Sequence, residues 1–136
     1  MRADSSLLFV LLLTLVVKAV EGRRCPYECL CDFETKTADC SERFKRYPPD
    51  DLSTDINSLL LHHNYVDDLT ARYFQNFHLT HLVRLDLSYN RIKVIHANAF
   101  NGMDQLDYLN LQSNKIYFLV GDSFAGLANL GGLYLD

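Results

Sequence analysis

Residues 82–92, with the sequence LVRLDLSYNRI, decide the fold of this chain. They place leucines at 82, 85 and 87, an asparagine at 90 and an isoleucine at 92. The same pattern occurs in residues 56–66 (INSLLLHHNYV) and 106–116 (LDYLNLQSNKI), and a fourth copy begins in residues 130–136 (LGGLYLD). The pattern recurs at an interval of about 25 residues, which predicts a solenoid of stacked structural units.

The centre of each copy predicts a β-strand with one buried face. Leu85 and Leu87 are two residues apart, and side chains at that spacing in a strand point to the same face. Residues 84, 86 and 88 then point to the opposite face, toward solvent. One copy cannot bury its leucines alone, but stacked copies share a continuous core. We therefore expect neighbouring strands to form one sheet.

An asparagine follows each strand at the point where the chain turns. The side-chain amide carries both a donor and an acceptor, so it can satisfy backbone groups that a buried turn leaves unpaired. We predict that Asn64, Asn90 and Asn114 stack into a ladder along the solenoid.

Three further columns repeat in phase with the asparagines. An aliphatic residue follows five positions later, a small residue seven positions later and a phenylalanine ten positions later. An amphipathic helix could explain one leucine run, but it does not explain alternating leucines with turn residues at a fixed offset. The columns are Leu69, Ile95 and Leu119; Ala71, Ala97 and Gly121; and Phe74, Phe100 and Phe124.

Residues 1–22 predict a secretory signal peptide. Arg2 precedes an unbroken apolar run in residues 7–17, LLFVLLLTLVV. The run is shorter than the roughly 20 residues that a membrane-spanning helix needs. Cleavage after Ala19 and cleavage after Gly22 both fit the sequence. The pattern predicts a secreted or extracellular protein.

The four cysteines lie close together at 25, 29, 31 and 40. In an exported chain, an even number of cysteines in a short span predicts disulfides, and a zinc site is the alternative. Four cysteines allow three connectivities, and their spacing alone does not choose among them, although the one that joins Cys29 to Cys31 is the least favourable. Residues 30–32 and 37–40 predict a short hairpin that covers the first repeat.

The repeats carry the L-x-x-L-x-L-x-x-N-x-L signature of leucine-rich repeats. The preceding motif, C-P-x-x-C-x-C-x8-C-S from Cys25 to Ser41, resembles the cysteine-rich N-terminal cap of extracellular leucine-rich-repeat proteins. That family includes Slit-like guidance proteins, neuronal adhesion receptors, small leucine-rich proteoglycans and variable lymphocyte receptors. The resemblance implies Cys25–Cys31 and Cys29–Cys40 disulfides. It also implies an α/β solenoid of horseshoe form, with a parallel concave sheet and a phenylalanine spine at Phe74, Phe100 and Phe124.

The resulting division is a signal peptide in residues 1–22, a cysteine-rich cap in residues 23–54 and repeats in residues 55–136, with three complete copies and a truncated fourth. No cysteine-rich C-terminal cap follows, and the sequence leaves two alternatives open, a whole protein and a fragment of a longer one. If a membrane anchor follows in a longer protein, that protein would reside at the cell surface. We also expect the uncapped C-terminal end to allow self-association, because a terminal repeat without a cap leaves apolar surface available.

Several chemical functions find no support in the sequence. The net charge of −4 gives no basic footprint for nucleic acid or anionic membrane. The histidines at 62, 63, 78, 81 and 96 have no cluster of cysteines or carboxylates placed with them, so we expect no metal. Nucleophile-elbow, zincin and phosphate-loop motifs do not occur. We expect neither enzymatic activity nor a cofactor.

The predicted function is recognition of an extracellular protein ligand by the concave face of a receptor ectodomain or secreted protein. Tyrosine and arginine, which often dominate protein interfaces, occur among the outward strand residues. A structural matrix component of the proteoglycan type is the alternative, although no Ser-Gly attachment site precedes Cys25. The candidate contact residues are Leu60, His62, Arg84, Asp86, Ser88, Tyr108, Asn110, Gln112 and Tyr134; Ser58 and Gly132 share this face, and His63, Tyr89 and Ser113 adjoin it.

Overall fold

A computed structural model describes residues 4–21 and 23–136 of the chain. A first helix, α1, spans Ser5–Glu21 and takes up most of the predicted signal peptide, of which residues 1–3 and 22 lie outside the described residues. The leucines of α1 from Leu7 to Leu15 are exposed. Among the residues described, none of the helices has both the length and the apolar character needed to cross a membrane.

Short strands recur along the rest of the chain. Each of the four repeat strands contains the first leucine of its predicted pair, and the second leucine follows the strand directly. Six of the strands form one sheet, in the order β1-β2-β3-β4-β6-β8, and β5 pairs with β7 in a second sheet. Only β1 and β2 are antiparallel in the six-stranded sheet. In chain order the elements are β1 (Leu30–Asp32), β2 (Thr37–Asp39), β3 (Ser58–Leu60), α2 (Tyr73–Asn76), β4 (Arg84–Asp86), β5 (Val94–Ile95), β6 (Tyr108–Asn110), β7 (Phe118–Leu119) and β8 (Gly132–Tyr134).

The strand register stacks the repeated leucines on one another. Leu59 lies beside Leu85, Leu85 beside Leu109 and Leu109 beside Leu133. The first three of these leucines are fully buried, which confirms the predicted buried face. Leu133 is 39% exposed because β8 lies at the edge of the sheet and has a neighbouring strand on one side only.

The convex side is held by the second sheet and by stacked phenylalanines. β5 pairs with β7, and Leu69 forms a parallel bridge with Ile95. The rings of Phe74 and Phe100 are 5.3 Å apart and nearly parallel, and those of Phe100 and Phe124 are 5.9 Å apart. Offset stacking of this kind adds stability beyond the burial of the rings.

The N-terminal cap continues the solenoid sheet. Disulfides join Cys25 to Cys31 and Cys29 to Cys40, the pairs that the family resemblance implies. The hairpin of β1 and β2 lies where the sequence predicts it, except that β2 ends at Asp39, one residue early. β2 pairs in parallel with β3, so the cap covers the first edge of the repeat sheet.

Candidate recognition surface

The asparagine ladder holds the chain on the concave side where β3, β4 and β6 end. The Asn90 side-chain oxygen accepts the backbone N–H of Val66 at 2.9 Å. Its amide nitrogen donates to the carbonyl oxygens of Leu61 in the preceding turn and of Leu87 in its own turn, at 2.9 and 3.0 Å. One buried side chain therefore joins two turns of the solenoid.

The same ladder connects the cap to the first repeat. The Asn64 oxygen accepts the N–H groups of Arg43 and Lys45, and its amide nitrogen donates to the carbonyl of Cys40 at 2.9 Å. At the other end, the Asn114 oxygen accepts the N–H of Ile92 at 3.0 Å. The cap is thus attached by a side chain of the repeat as well as by strand pairing.

A second polar pattern, which was not predicted from the sequence, lies at the ends of the strands. The Asp86 carboxylate accepts both the N–H and the hydroxyl of Ser88, at 2.9 and 2.6 Å. Asp39 accepts the same two groups of Ser41, at 3.0 and 2.6 Å. The recurring sequence D-x-S was the available signal, because aspartate commonly accepts the N–H two residues later.

The pKa of Asp39 reflects two opposing effects. Partial burial of the carboxyl group raises the pKa, but the hydrogen bonds from Ser41 and the charges of His62 and Arg43 lower it more. The net pKa lies below the ordinary value for aspartate. The charged carboxylate therefore stabilises this end of β2.

The prediction that Ser88 and Asn110 face solvent is wrong, because both residues are buried. Ser88 is 5% exposed because its hydroxyl turns back to Asp86. Asn110 is 9% exposed because it lies between β4 and β8, and its side-chain oxygen accepts the N–H of Gln112. Ser58, also expected to face solvent, is 7% exposed. The alternation of side chains along a strand predicts which face of the sheet a residue lies on. It does not predict how far neighbouring strands bury that residue.

The accessible part of the concave face is a run of aromatic and cationic side chains. Arg84 lies over the ring of Tyr108, with 4.3 Å from the guanidinium carbon to the ring centroid. The rings of Tyr108 and Tyr134 are 5.2 Å apart. Gly132 lies between these rings, and a Cβ added there would approach Tyr134 to 3.3 Å. The absence of a side chain at Gly132 makes room for the tyrosine pair.

The remaining predicted contact residues border this run. Leu60, His62 and Asp86 are half-buried, and the Gln112 amide donates to the Asp136 carboxylate at 2.6 Å. The His62 and His63 rings meet edge to face at 5.4 Å. The structure thus brings Arg84, Tyr108 and Tyr134 into one patch, which we call the tyrosine patch.

Metal ligands are not assembled in the part of the chain that the structure describes. No group of three or more histidine, cysteine, aspartate or glutamate side chains converges there in an arrangement suited to a metal ion. All four cysteines are in disulfides. Such bridges are typical of proteins from oxidising compartments such as the extracellular space.

The chain belongs to the leucine-rich-repeat family. The family model for the leucine rich repeat matches residues 54–116 and 80–136. These matches cover the four strands β3, β4, β6 and β8 that carry the concave face.

Curated relatives match most of the chain in sequence. Leucine-rich repeat-containing protein 3 of Danio rerio is 34% identical over 124 residues, which cover 89% of this chain and 46% of that protein. Chondroadherin-like protein of Mus musculus is 32% identical over 105 residues, covering 77% of this chain and 14% of that protein. The chain therefore spans less than half the length of these relatives.

Two solved structures superpose on most of this chain. Human 5T4, also described as Wnt-activated inhibitory factor 1 or trophoblast glycoprotein, superposes with a TM-score of 0.73 at 30% identity, over 84% of this chain and 41% of that one. The TLR13 chain in its complex with ssRNA13 superposes with a TM-score of 0.68 at 33% identity, over 78% of this chain and 15% of that one.

Proposed function

We propose that this chain is an extracellular recognition module that binds a protein ligand through its concave face. The tyrosine patch is the observation that carries the proposal. Tyrosine and arginine are enriched among residues that dominate binding energy, and here Tyr108 contacts both Arg84 and Tyr134 on an open sheet surface. Leucine-rich-repeat solenoids offer such concave surfaces to partners.

A protein ligand fits this patch better than a nucleic acid does. Arg84 is a single cation on the patch, and Asp86 and Asp136 lie at its border. Binding of a phosphate backbone relies on several lysines and arginines, and the chain as a whole has a net charge of −4. A nucleic-acid partner, of the kind named for the TLR13 complex, is an outcome that the experiment below distinguishes.

The test uses the full chain, biotinylated and assembled on streptavidin, as a probe for intact cells. We expect saturable binding that protease treatment of the cells abolishes and that nuclease or glycosaminoglycan lyase leaves unchanged. The double substitution Tyr108→Ala and Tyr134→Ala should weaken binding by about tenfold or more, as expected for residues that dominate an interface.

A matched control is Tyr117→Ala, which removes a tyrosine that is 75% exposed next to β7 on the other sheet. It should leave binding unchanged. Lyase-sensitive binding would favour the matrix alternative, and equal binding by the double variant and the control would contradict the assignment of the concave face.

A further inference from the structure

A pocket of about 450 Å³ lies where the strands end and the ladder begins. Its volume is within the range of pockets that bind small-molecule ligands. None of the nine candidate contact residues lines it, but His63 and Tyr89, which adjoin the concave face, do. The pocket spans the cap and the three complete repeats, and we call it the edge pocket. Its lining includes Glu42, Phe44, Tyr65, Tyr89, Arg91 and Lys115.

The asparagine side chains that line the edge pocket already form hydrogen bonds within the fold. Asn64 and Asn90 line it, and their amides are bonded to backbone groups of the ladder. One wall is the pair of His63 and Tyr89, whose rings stack at 4.4 Å with an interplanar angle of 7°. Each of these two residues directly precedes a ladder asparagine and has a left-handed backbone conformation, with φ of 54° and 53°. That conformation directs both residues into this edge.

Aromatic surface in the pocket is accessible to a partner. Phe44 is 71% exposed and Tyr89 is 55% exposed, and the ring of Phe44 lies 5.6 Å from that of Tyr65. Exposed aromatic rings that cluster beside polar groups are typical of protein-binding surfaces. This part of the pocket is suited to an apolar side chain.

Two cations in the pocket have no acidic partner within the described ranges. Arg91 and Lys115 form no ion pair there, whereas nearby Lys45 pairs with Glu28 at 3.0 Å. The guanidinium carbon of Arg91 lies 3.7 Å from the centroid of the Tyr65 ring. A guanidinium held against a ring face keeps donors at its edge, and that edge matches the two oxygens of a carboxylate.

We propose that the edge pocket binds an acidic peptide segment, with a carboxylate at Arg91 and Lys115 and a neighbouring apolar side chain against Phe44 and Tyr65. The site is separate from the tyrosine patch and does not depend on the function proposed for it. A sulfated glycan fits less well, because such chains bind rows of cations. The pocket offers two cations beside the carboxylate of Glu42, and much of its surface is aromatic.

The test is a ligand-observed NMR titration of the full chain. The probe is the acetylated and amidated pentapeptide Ala-Glu-Leu-Glu-Ala, and the uncharged peptide Ala-Gln-Leu-Gln-Ala is its control. Arg91→Gln and Lys115→Gln should each weaken binding of the acidic peptide by about tenfold, the amount expected for one charge-assisted hydrogen bond. Lys115→Gln removes an exposed side chain, so it tests the site even if Arg91→Gln does not fold.

Three further variants complete the test. Glu42→Gln should strengthen binding about twofold, because it removes a like charge from the pocket. Arg24→Ala removes an exposed cation outside the pocket and should have no effect. Tyr108→Ala, which lies in the tyrosine patch, should also have no effect, so the two proposals can fail independently.

The proposal is overturned if the two peptides bind equally, or if the acidic peptide does not bind. It is also overturned if Lys115→Gln and Arg24→Ala weaken binding to the same extent. Preferential binding of a heparin tetrasaccharide over the acidic peptide would replace the proposed ligand class by a sulfated glycan.

Discussion

Replacing Asn90 with alanine removes one rung of the ladder. The N–H of Val66 then loses its acceptor, the Asn90 oxygen at 2.9 Å, inside a region where both residues are buried. The carbonyls of Leu61 and Leu87 each keep a second donor, from Asn64 and Asn114 respectively. The main cost is thus one orphaned buried donor, which amounts to about 1–3 kcal/mol of unfolding free energy.

Two comparison variants separate this explanation from a general loss of packing. Asn90→Asp keeps the acceptor for Val66 but places a second oxygen against the carbonyls of Leu61 and Leu87, so at neutral pH it should destabilise more than alanine does. Asn114→Ala should destabilise less, because Asn114 is only half-buried and water can reach the groups it leaves.

The assay is urea unfolding of the full chain, followed by far-ultraviolet circular dichroism and tyrosine fluorescence, since the chain has no tryptophan. The expected order of stability is wild type, Asn114→Ala, Asn90→Ala and Asn90→Asp. If Asn90→Ala lies within about 0.5 kcal/mol of wild type, as a surface substitution would, the role assigned to the ladder is refuted.

Three other predictions concern the core, the strand ends and the cap. Leu109→Ala should cost about 2–5 kcal/mol in the same assay, because the side chain is fully buried; a loss below 1 kcal/mol would contradict the assigned face. Asp86→Ala should cost about 1–2 kcal/mol, because it leaves the buried Ser88 hydroxyl without its acceptor; no change would mean that water replaces the carboxylate. The lowered pKa of Asp39 contributes stability above the ordinary aspartate pKa, and this is lost as the pH falls through the lower, folded-state value; Tm measured from pH 6 to pH 2 should fall less for Asp39→Asn than for Asp50→Asn, and equal slopes would argue against it.

The architecture could be predicted from the sequence because its determinants are periodic. Leu59, Leu85 and Leu109 each lie two residues before a second leucine and five residues before an asparagine. This spacing is sufficient to predict the position of each strand, its buried face and the strand it pairs with. The phenylalanine column recurs with the same period, and the family resemblance implied the stacked spine that its rings form. Periodicity transfers information from one repeat to the next, so each copy supports the reading of the others.

The surface could not be predicted to the same degree, because exposure depends on neighbours that are distant in sequence. Ser88 and Asn110 have outward phase but are covered, and only the D-x-S recurrence hinted at the hydrogen bond that turns Ser88 inward. The stack of His63 on Tyr89 depends on two left-handed residues in adjacent turns. Histidine is enriched in that conformation among residues other than glycine, but tyrosine gives little local signal for it.

The central claim, that the concave face contacts a protein ligand, is tested most directly by hydroxyl-radical footprinting of tyrosines with and without the partner captured by the streptavidin probe. Tyr134 and Tyr117 are 44% and 75% exposed in the free chain, so both are open to labelling. We predict that the bound partner lowers the labelling of Tyr134 by at least about fivefold, as burial in the centre of an interface would, and leaves Tyr117 unchanged. Protection of Tyr117 with continued labelling of Tyr134 would contradict the claim.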